Sequence, residues 1–164
     1  MIFVSVGGDK MYGFLRLVQE MDEIAGTIQE EVVMQIACTK CTPKHAKFFT
    51  YLPYAEYVDF LQKARLIIAH CSAGAVLRTR ELLKPLIVFP RQKRYLELFD
   101  DHQIEFARAI EAEQIPNITV VYESRHLKES ILRVLNIGQQ QYVCHDNSSG
   151  IIVAVKEFVR TLQK

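Results

Sequence analysis

The chain has 164 residues, of which 49% are hydrophobic and 24% are charged, and this composition excludes a wholly disordered protein. Its length suits one domain with a sizeable core, and its net charge of +1 gives no electrostatic reason to expect binding to nucleic acid or an anionic membrane. The apolar runs are too short to span a membrane, and the first residues lack the pattern of a secretory signal. Four cysteines without an export signal favour a reducing, cytoplasmic setting.

Short apolar segments alternate with longer amphipathic ones along the chain. The spacing of the apolar residues, and the residues that flank each apolar run, predict strands at residues 2–6, 31–37, 47–51, 66–69, 86–89 and 118–122. Helices are predicted from about residue 14, over 54–64, over 74–83, from about 101 to 113 and from 124 to 135. Asp100 or Asp101 is expected to cap the fourth of these helices, and Ser124 the fifth.

The remaining segments carry weaker signals. Residues 90–99 are predicted to be a loop, and the polar stretch 138–149 is left unassigned. Ser149 is a candidate cap for a last helix over residues 151–162. That helix has two possible docking places, this domain or a partner.

Strands separated by helices predict an α/β fold with a doubly wound, mostly parallel, Rossmann-like sheet, and residues 1–164 are expected to form a single domain. Ligands of such sheets bind at the carboxyl ends of the strands. This rule directs attention to the loops at residues 7–13, 37–44, 70–75 and 90–101.

The loop at residues 70–75 is the strongest candidate site because it follows the most apolar strand and opens a helix. His70, Ser72, Ala73 and Gly74 leave room for a ligand near main-chain N–H groups, which attract anions such as a diphosphate. The alternative is a tight turn in which Ser72 only caps the helix. Gly7 ends the first strand and could admit the same ligand, although a structural turn is the simpler interpretation of that glycine alone.

Polar residues gather before and within the start of the fourth helix. Asp101, His102 and Gln103 could bind sugar hydroxyls, or they could serve only as a cap and a solvated first turn. Arg91, with Lys93 and Arg94, could neutralise phosphate or face a partner, whereas a solvated basic loop is the commoner outcome of such a cluster.

The cysteines allow a further hypothesis, that of a metal-binding or redox protein. Cys38 and Cys41, with His45 nearby, resemble half of a zinc site, and Cys71 and Cys144 could add ligands. A single C-x-x-C pair without a second pair at standard spacing is a weak signal, so no metal is expected.

The segments MIFVSVG, QKARLIIAHCSAG, KPLIVFPR and DDHQIEFA resemble, in this order and spacing, the glycosyltransferase family 28 C-terminal domain. The likeness runs from residue 1 to about 135 and is to the small stand-alone form, a subunit of two-part enzymes. It implies the nucleotide-sugar half of a GT-B fold. Within that pattern, residues 70–75 hold the diphosphate, His102 and Gln103 lie near the hexose, and Gly7 ends the first strand.

The resemblance implies a cytoplasmic glycosyltransferase subunit that needs no cofactor. Its donor would be a UDP-sugar, and its hexose would pass to an acceptor, expected to be lipid-linked, held by a membrane-associated partner. No catalytic residue is assigned.

The sequence departs from the family pattern at the proposed donor site. Cys71 and Ser72 replace two glycines, and Arg78 replaces a glutamate that binds ribose hydroxyls. An arginine donates hydrogen bonds where a carboxylate accepts them, and it can pair with phosphate. The alternative function is therefore a non-catalytic regulatory or scaffolding relative that has lost donor binding.

Overall fold

The computed structural model describes residues 1–137 and residues 152, 153, 155 and 156. Its strands and helices follow one another in alternation along most of the chain. They are β1 (Ile2–Ser5), α1 (Leu15–Ala25), β2 (Val32–Gln35), β3 (Lys47–Phe49), α2 (Tyr54–Lys63), β4 (Leu66–His70), α3 (Ala73–Glu81), β5 (Leu86–Phe89), α4 (His102–Ala112), β6 (Ile118–Val120) and α5 (Leu127–Asn136). Short 3₁₀ turns at Lys93–Tyr95 and Ser124–His126 precede α4 and α5.

These strands form one parallel sheet in the spatial order β3-β2-β1-β4-β5-β6. Strand β1 lies near the middle, where Ile2 is in register with Val32 of β2 and with Leu66 of β4. The strand order therefore reverses between β1 and β4. At such a point the loops that leave the two strands run to opposite faces of the sheet and open a crevice at its carboxyl edge.

Two apolar cores cover the two faces of the sheet, which explains why the strands read as continuous apolar runs. Ile2 and Val4 of β1 face the core that is closed by α1 and α5, whereas Phe3 faces the core closed by α2, α3 and α4. Burial of each such side chain contributes roughly 1.5–3 kcal/mol. Because α1 follows β1 and α3 follows β4 on opposite faces, the crevice lies between their amino-terminal ends.

The predicted fold class is confirmed, and the predicted strands and helices are present with ends that differ by a few residues. Residues 90–99 contain a 3₁₀ turn rather than only a loop. The cap prediction for Ser124 is wrong, because this residue begins the second 3₁₀ turn and α5 starts at Leu127. The unassigned residues 138–149 and the proposed cap Ser149 lie outside the described residues, and residues 152, 153, 155 and 156 are helical.

Candidate functional site

Gly7 and His70 meet in the crevice between β1 and β4. Gly7 has a φ of +87°, and a Cβ placed on it would lie 2.7 Å from Cε1 of His70. A side chain at position 7 would therefore be strained and would collide with the imidazole. The predicted ends of the two central strands thus pack directly on each other, and the absence of a side chain at Gly7 makes this contact possible.

His70 is held as a neutral imidazole. Burial, reinforced by the positive charge of Arg91, lowers the pKa of His70 to about 4. Its Nδ1 atom is buried without a hydrogen-bond partner among the described residues. At neutral pH the His70 side chain therefore carries no positive charge.

The loop after β4 caps α3 and leaves space above its first turn. Oγ of Ser72 accepts a hydrogen bond from the N–H of Ala75 at 3.3 Å, so Ser72 is the N-cap of α3. A Cβ on Gly74 would meet no atom within 4 Å. The first N–H groups of α3 that have no partner within the helix thus lie beside an open surface, which suits an anion.

The Cys71 side chain does not occupy that open surface. It is buried in the core formed with α2, α3 and α4, and burial raises the pKa of its thiol. Replacement of a glycine by Cys71 therefore changes the core rather than the face of the loop that a ligand would approach.

A second group of residues surrounds a cavity of about 280 Å³ at the carboxyl ends of β1 and β2, which we call the tyrosine cavity. Apart from Gly7 and the loop that begins with it, sequence analysis missed the residues of this cavity. The signal was the spacing of three tyrosines around the start of α2, where small polar residues end the neighbouring strands. The lining residues are Ser5, Gly7, Gly8, Gln35, Tyr51, Leu52, Tyr54 and Tyr57.

Hydrogen bonds fix the polar groups of the tyrosine cavity. The Tyr57 hydroxyl donates to Oγ of Ser5 at 3.3 Å, and the Tyr51 hydroxyl donates to the Asp9 carbonyl at 3.2 Å. The Gln35 amide donates to the Gly7 carbonyl and accepts from the N–H of Leu52. The cavity is therefore a preformed polar and aromatic pocket beside Gly7.

Arg78 reaches the rim of this cavity from α3. Its Nη1 donates to the Tyr54 hydroxyl at 2.5 Å, and its guanidinium carbon lies 5.2 Å from the centre of the Tyr54 ring. The structure thus brings Arg78 to the same side of the crevice as Gly7.

Arg91 has a structural arrangement that the sequence did not predict. Its side chain is 1% exposed, and its guanidinium donates to the carbonyls of Val6, Tyr12, Gly13 and Glu97 at 2.9–3.0 Å. The expectation of a solvated basic loop is therefore wrong for Arg91, although Lys93 and Arg94 are exposed. Arg91 joins the loop after β1 to the loop after β5.

The start of α4 packs against the Arg91 loop. Gln103 is buried, and its Oε1 accepts a hydrogen bond from the N–H of Arg91 at 3.1 Å. Nδ1 of His102 is hydrogen-bonded to Oδ1 of Asp100, which is 3.3 Å from the His102 N–H. Of the two predicted caps of α4, Asp101 stands at the N-cap position but accepts from the N–H of Lys93 at 2.8 Å, so the capping bond predicted for it is wrong. Asp100 is the one that accepts from the first N–H of α4.

A larger groove of about 660 Å³ lies along α1 and the loop after β5. Met11 and Leu96, which are 82% and 84% exposed, line it together with the exposed Leu15 and Tyr95. Polar and charged side chains form the rest of the lining, among them Arg16, Gln19, Glu20, Glu23, Lys40 and Glu97. Large apolar side chains with this exposure mark a surface suited to contact with another molecule. We call it the apolar groove.

Two further findings concern metals and membranes. No group of three His, Cys, Asp or Glu side chains within the described residues could hold a metal ion, and Cys38, Cys41 and Cys71 are free thiols. Cys144 lies outside the described residues. In the described part of the chain, no helix has the length and apolar character needed to cross a membrane.

A family model and a curated human protein both match this chain. The model of the glycosyltransferase family 28 C-terminal domain matches residues 1–161. The human UDP-N-acetylglucosamine transferase subunit ALG13 is 31% identical over 121 residues, which are 68% of this chain and 10% of that protein. The chain therefore spans about a tenth of the length of this curated relative.

Solved structures share the fold. The crystal structure of the glycotransferase of kitacinnamycin matches with a TM-score of 0.62 at 12% identity, covering 96% of this chain and 38% of that chain. The NMR solution structure of ALG13 matches with a TM-score of 0.53 at 16% identity, covering 93% of this chain and 94% of that chain. With the strand order described above, these matches show the Rossmann-like half of a GT-B fold.

Proposed function

Because the chain belongs to the glycosyltransferase family 28 C-terminal domain family, we propose that it is the donor-binding subunit of a glycosyltransferase. The donor is a UDP-sugar, and its hexose passes to an acceptor, which we propose is lipid-linked. The observation that carries this proposal is the crevice between β1 and β4, where Gly7 packs under His70 and the N-terminus of α3 opens beside them.

The proposed chemistry is a displacement at the anomeric carbon of the sugar. An acceptor hydroxyl oxygen forms a bond to that carbon, the bond from the carbon to the diphosphate oxygen breaks, and UDP leaves with the electron pair. The hydroxyl proton passes to a general base, which we assign to the partner. Main-chain N–H groups of Ala73 and Gly74 and the dipole of α3 would stabilise the negative charge on the departing diphosphate.

The other predicted site residues divide into two groups by their contacts. Asp101 and His102 lie at the start of α4, and we propose that they face the hexose. Arg91 and Gln103 bind each other and the neighbouring main chain, so we propose that they position the loops around the sugar rather than carry charge to it.

We also propose that a membrane-associated partner completes the enzyme and recruits the chain to the membrane from the cytoplasm. The name of the human relative calls it a subunit, and the kitacinnamycin structure is a longer chain of which this fold covers 38%. The apolar groove lies at the carboxyl edge of the sheet and exposes Met11 and Leu96. Coverage of this groove by the partner would remove apolar surface from water.

The alternative function is a non-catalytic scaffolding or regulatory relative. The observation in its favour is Arg78, which approaches the crevice at a place where the family pattern has a carboxylate. The buried position of Cys71 speaks against the loss of the diphosphate site, because the thiol leaves the loop surface open. The two functions differ in whether the native chain binds UDP.

Calorimetric titration of UDP and UDP-sugars into the chain, alone and with the partner, tests the proposal. The informative variant is Gly74→Asp, because a carboxylate in the first turn of α3 favours the helix but repels a diphosphate. We expect Gly74→Asp to weaken UDP binding at least about tenfold, which corresponds to roughly 1.4 kcal/mol. The matched control is Gly74→Asn, which has the size of aspartate but no charge and should weaken UDP binding less than Gly74→Asp does.

Two outcomes would contradict the proposal. The first is the absence of UDP binding by the wild type both alone and with the partner, which would favour the scaffolding relative. The second is equal UDP affinity of Gly74→Asp and Gly74→Asn, which would place the diphosphate away from α3.

A further inference from the structure

Arg78 and Tyr54 form a pair at the rim of the tyrosine cavity. Tyr54 lines the cavity together with Gly7, and the Arg78 guanidinium both donates to its hydroxyl at 2.5 Å and lies over its ring. Side chains of a helix lean towards its N-terminus, so the Arg78 side chain runs back towards the loop at residues 70–75. The cation therefore lies on the side of the crevice where α3 begins.

The Arg78 guanidinium retains most of its capacity to bind a ligand. Its hydrogen-bond partner is a neutral phenol, and within the described residues it has no carboxylate at salt-bridge distance. A guanidinium carries five N–H donors in a planar fork that matches the oxygens of a phosphate. One bond to Tyr54 therefore orients Arg78 without saturating it.

Other cationic groups near the crevice are already engaged or are uncharged. The guanidinium of Arg91 donates its hydrogen bonds to four main-chain carbonyls. Arg16 is bound to the carboxylate of Glu97. His70 is neutral at physiological pH. Of these four cationic side chains, Arg78 therefore keeps free donors for a dianionic ligand in the crevice. Lys10, in the loop after β1, is exposed to solvent, and no hydrogen bond orients it among the described residues as Tyr54 orients Arg78.

The tyrosine cavity offers little to ribose hydroxyls. Its lining, as far as the described residues form it, contains no carboxylate. The Gln35 carbonyl oxygen already accepts from the N–H of Leu52 at 3.0 Å. A ribose hydroxyl that donates its proton thus meets only neutral acceptors here, such as the remaining lone pair of that oxygen, whereas phosphate oxygens meet a charged donor in Arg78.

On the basis of the proposed function, we propose that Arg78 is the specificity-determining residue of the donor site. Oriented by Tyr54, it binds a phosphate of the nucleoside diphosphate, so that the site selects its nucleotide by phosphate charge rather than by the ribose hydroxyls.

The test measures dissociation constants for UDP, UMP, uridine and 2′-deoxy-UDP with the wild type and with Arg78→Gln. Loss of a charge-assisted contact should weaken UDP binding about tenfold or more and leave uridine binding within about twofold of the wild type. The wild type itself should bind UDP and 2′-deoxy-UDP with affinities within about twofold, because no carboxylate receives the 2′-hydroxyl.

Three more variants separate a specific role of Arg78 from a general disturbance. Arg78→Glu should weaken UDP binding further and should create a preference for UDP over 2′-deoxy-UDP. Tyr54→Phe keeps the ring but removes the oxygen that orients Arg78, so it should cause a smaller loss than Arg78→Gln. Arg80→Gln makes the same chemical change two residues further along α3, where the side chain points away from Arg78, and should bind UDP as the wild type does.

The outcomes separate the two proposals. If the wild type binds UDP but Arg78→Gln binds it equally well, or loses uridine binding to the same degree, the role of Arg78 is refuted and the proposed function stands. If the wild type strongly prefers UDP to 2′-deoxy-UDP, recognition by phosphate charge is likewise refuted. If the wild type binds no nucleotide alone or with the partner, the proposed function fails, and the role of Arg78 fails with it.

Discussion

At the scale of single residues, the crevice between β1 and β4 depends on the absence of a side chain at position 7. Gly7 has both a positive φ and a neighbouring imidazole at a distance that no Cβ tolerates, whereas Gly8 next to it has open space around it. The two glycines are indistinguishable in the sequence. Only the first meets His70, because β1 and β4 are adjacent in the sheet and end at the same level.

Substitution of the two glycines should therefore have different effects. Gly7→Ala should lower the free energy of unfolding by about 2 kcal/mol or more, because it combines a strained backbone with a clash against His70. Gly8→Ala should change it by less than about 0.5 kcal/mol. Urea denaturation of the two variants measures the difference, and equal midpoints would show that the Gly7–His70 contact does not constrain the fold.

His70 should also make the stability of the protein depend on pH. In the unfolded chain a histidine takes up a proton below a pKa of about 6.5, but folded His70 has a pKa of about 4. Between these values acid stabilises the unfolded state more than the folded state. The free energy of unfolding should therefore fall as the pH drops from 6.5 to 4, by up to about 3 kcal/mol from this residue.

Denaturation of the wild type and of His70→Gln at pH 7 and pH 4.5 measures this contribution. Glutamine does not titrate, so the variant should lose less stability on acidification than the wild type. The charges that act on His70 are those of Arg91 and His102, which lower its pKa, and Asp9, which raises it. Parallel losses in both proteins would assign the acid sensitivity to other groups.

At the scale of the elements, periodicity predicted the kind and order of strands and helices but not how each begins. Asp101 illustrates the reason, since its carboxylate accepts from the main chain of Lys93 instead of from α4. Ser72 behaves as a local signal suggests, because its partner Ala75 lies only three residues away. Capping can be predicted when both partners are local, and it fails when a loop packed by tertiary contacts supplies a competing donor.

At the scale of the whole molecule, Arg91 joins the two halves of the doubly wound sheet. Its guanidinium contacts the segment from Val6 to Gly13 after β1 and Glu97 after β5. The N–H of the same residue is bound by Gln103 at the start of α4. The carboxyl edge of the sheet is therefore held in one arrangement around a buried cation.

Loss of this cation should destabilise the whole fold. Arg91→Met keeps much of the side-chain volume but leaves four carbonyls without their donor, at a cost of about 3 kcal/mol or more in the free energy of unfolding. The control is Arg94→Met, which removes an exposed ion pair with Glu123 and should cost less than about 1 kcal/mol. Similar denaturation midpoints for the two variants would contradict the role of Arg91.

The sequence by itself determined the alternation of strands and helices, the parallel sheet and the loops at its carboxyl edge, because these follow from local periodicity and from general rules of chain connection. It also pointed to the loops that contain Gly7 and His70 and to Gln103 at the start of α4. Only the tertiary structure decided that Arg91 turns inward to Val6, 85 positions away, and that Arg78 meets Tyr54 beside a cavity. The direction taken by a long cationic side chain depends on which carbonyls, hydroxyls or carboxylates the fold brings within its reach. These partners lie far away along the chain, so the local sequence around the arginine does not predict them.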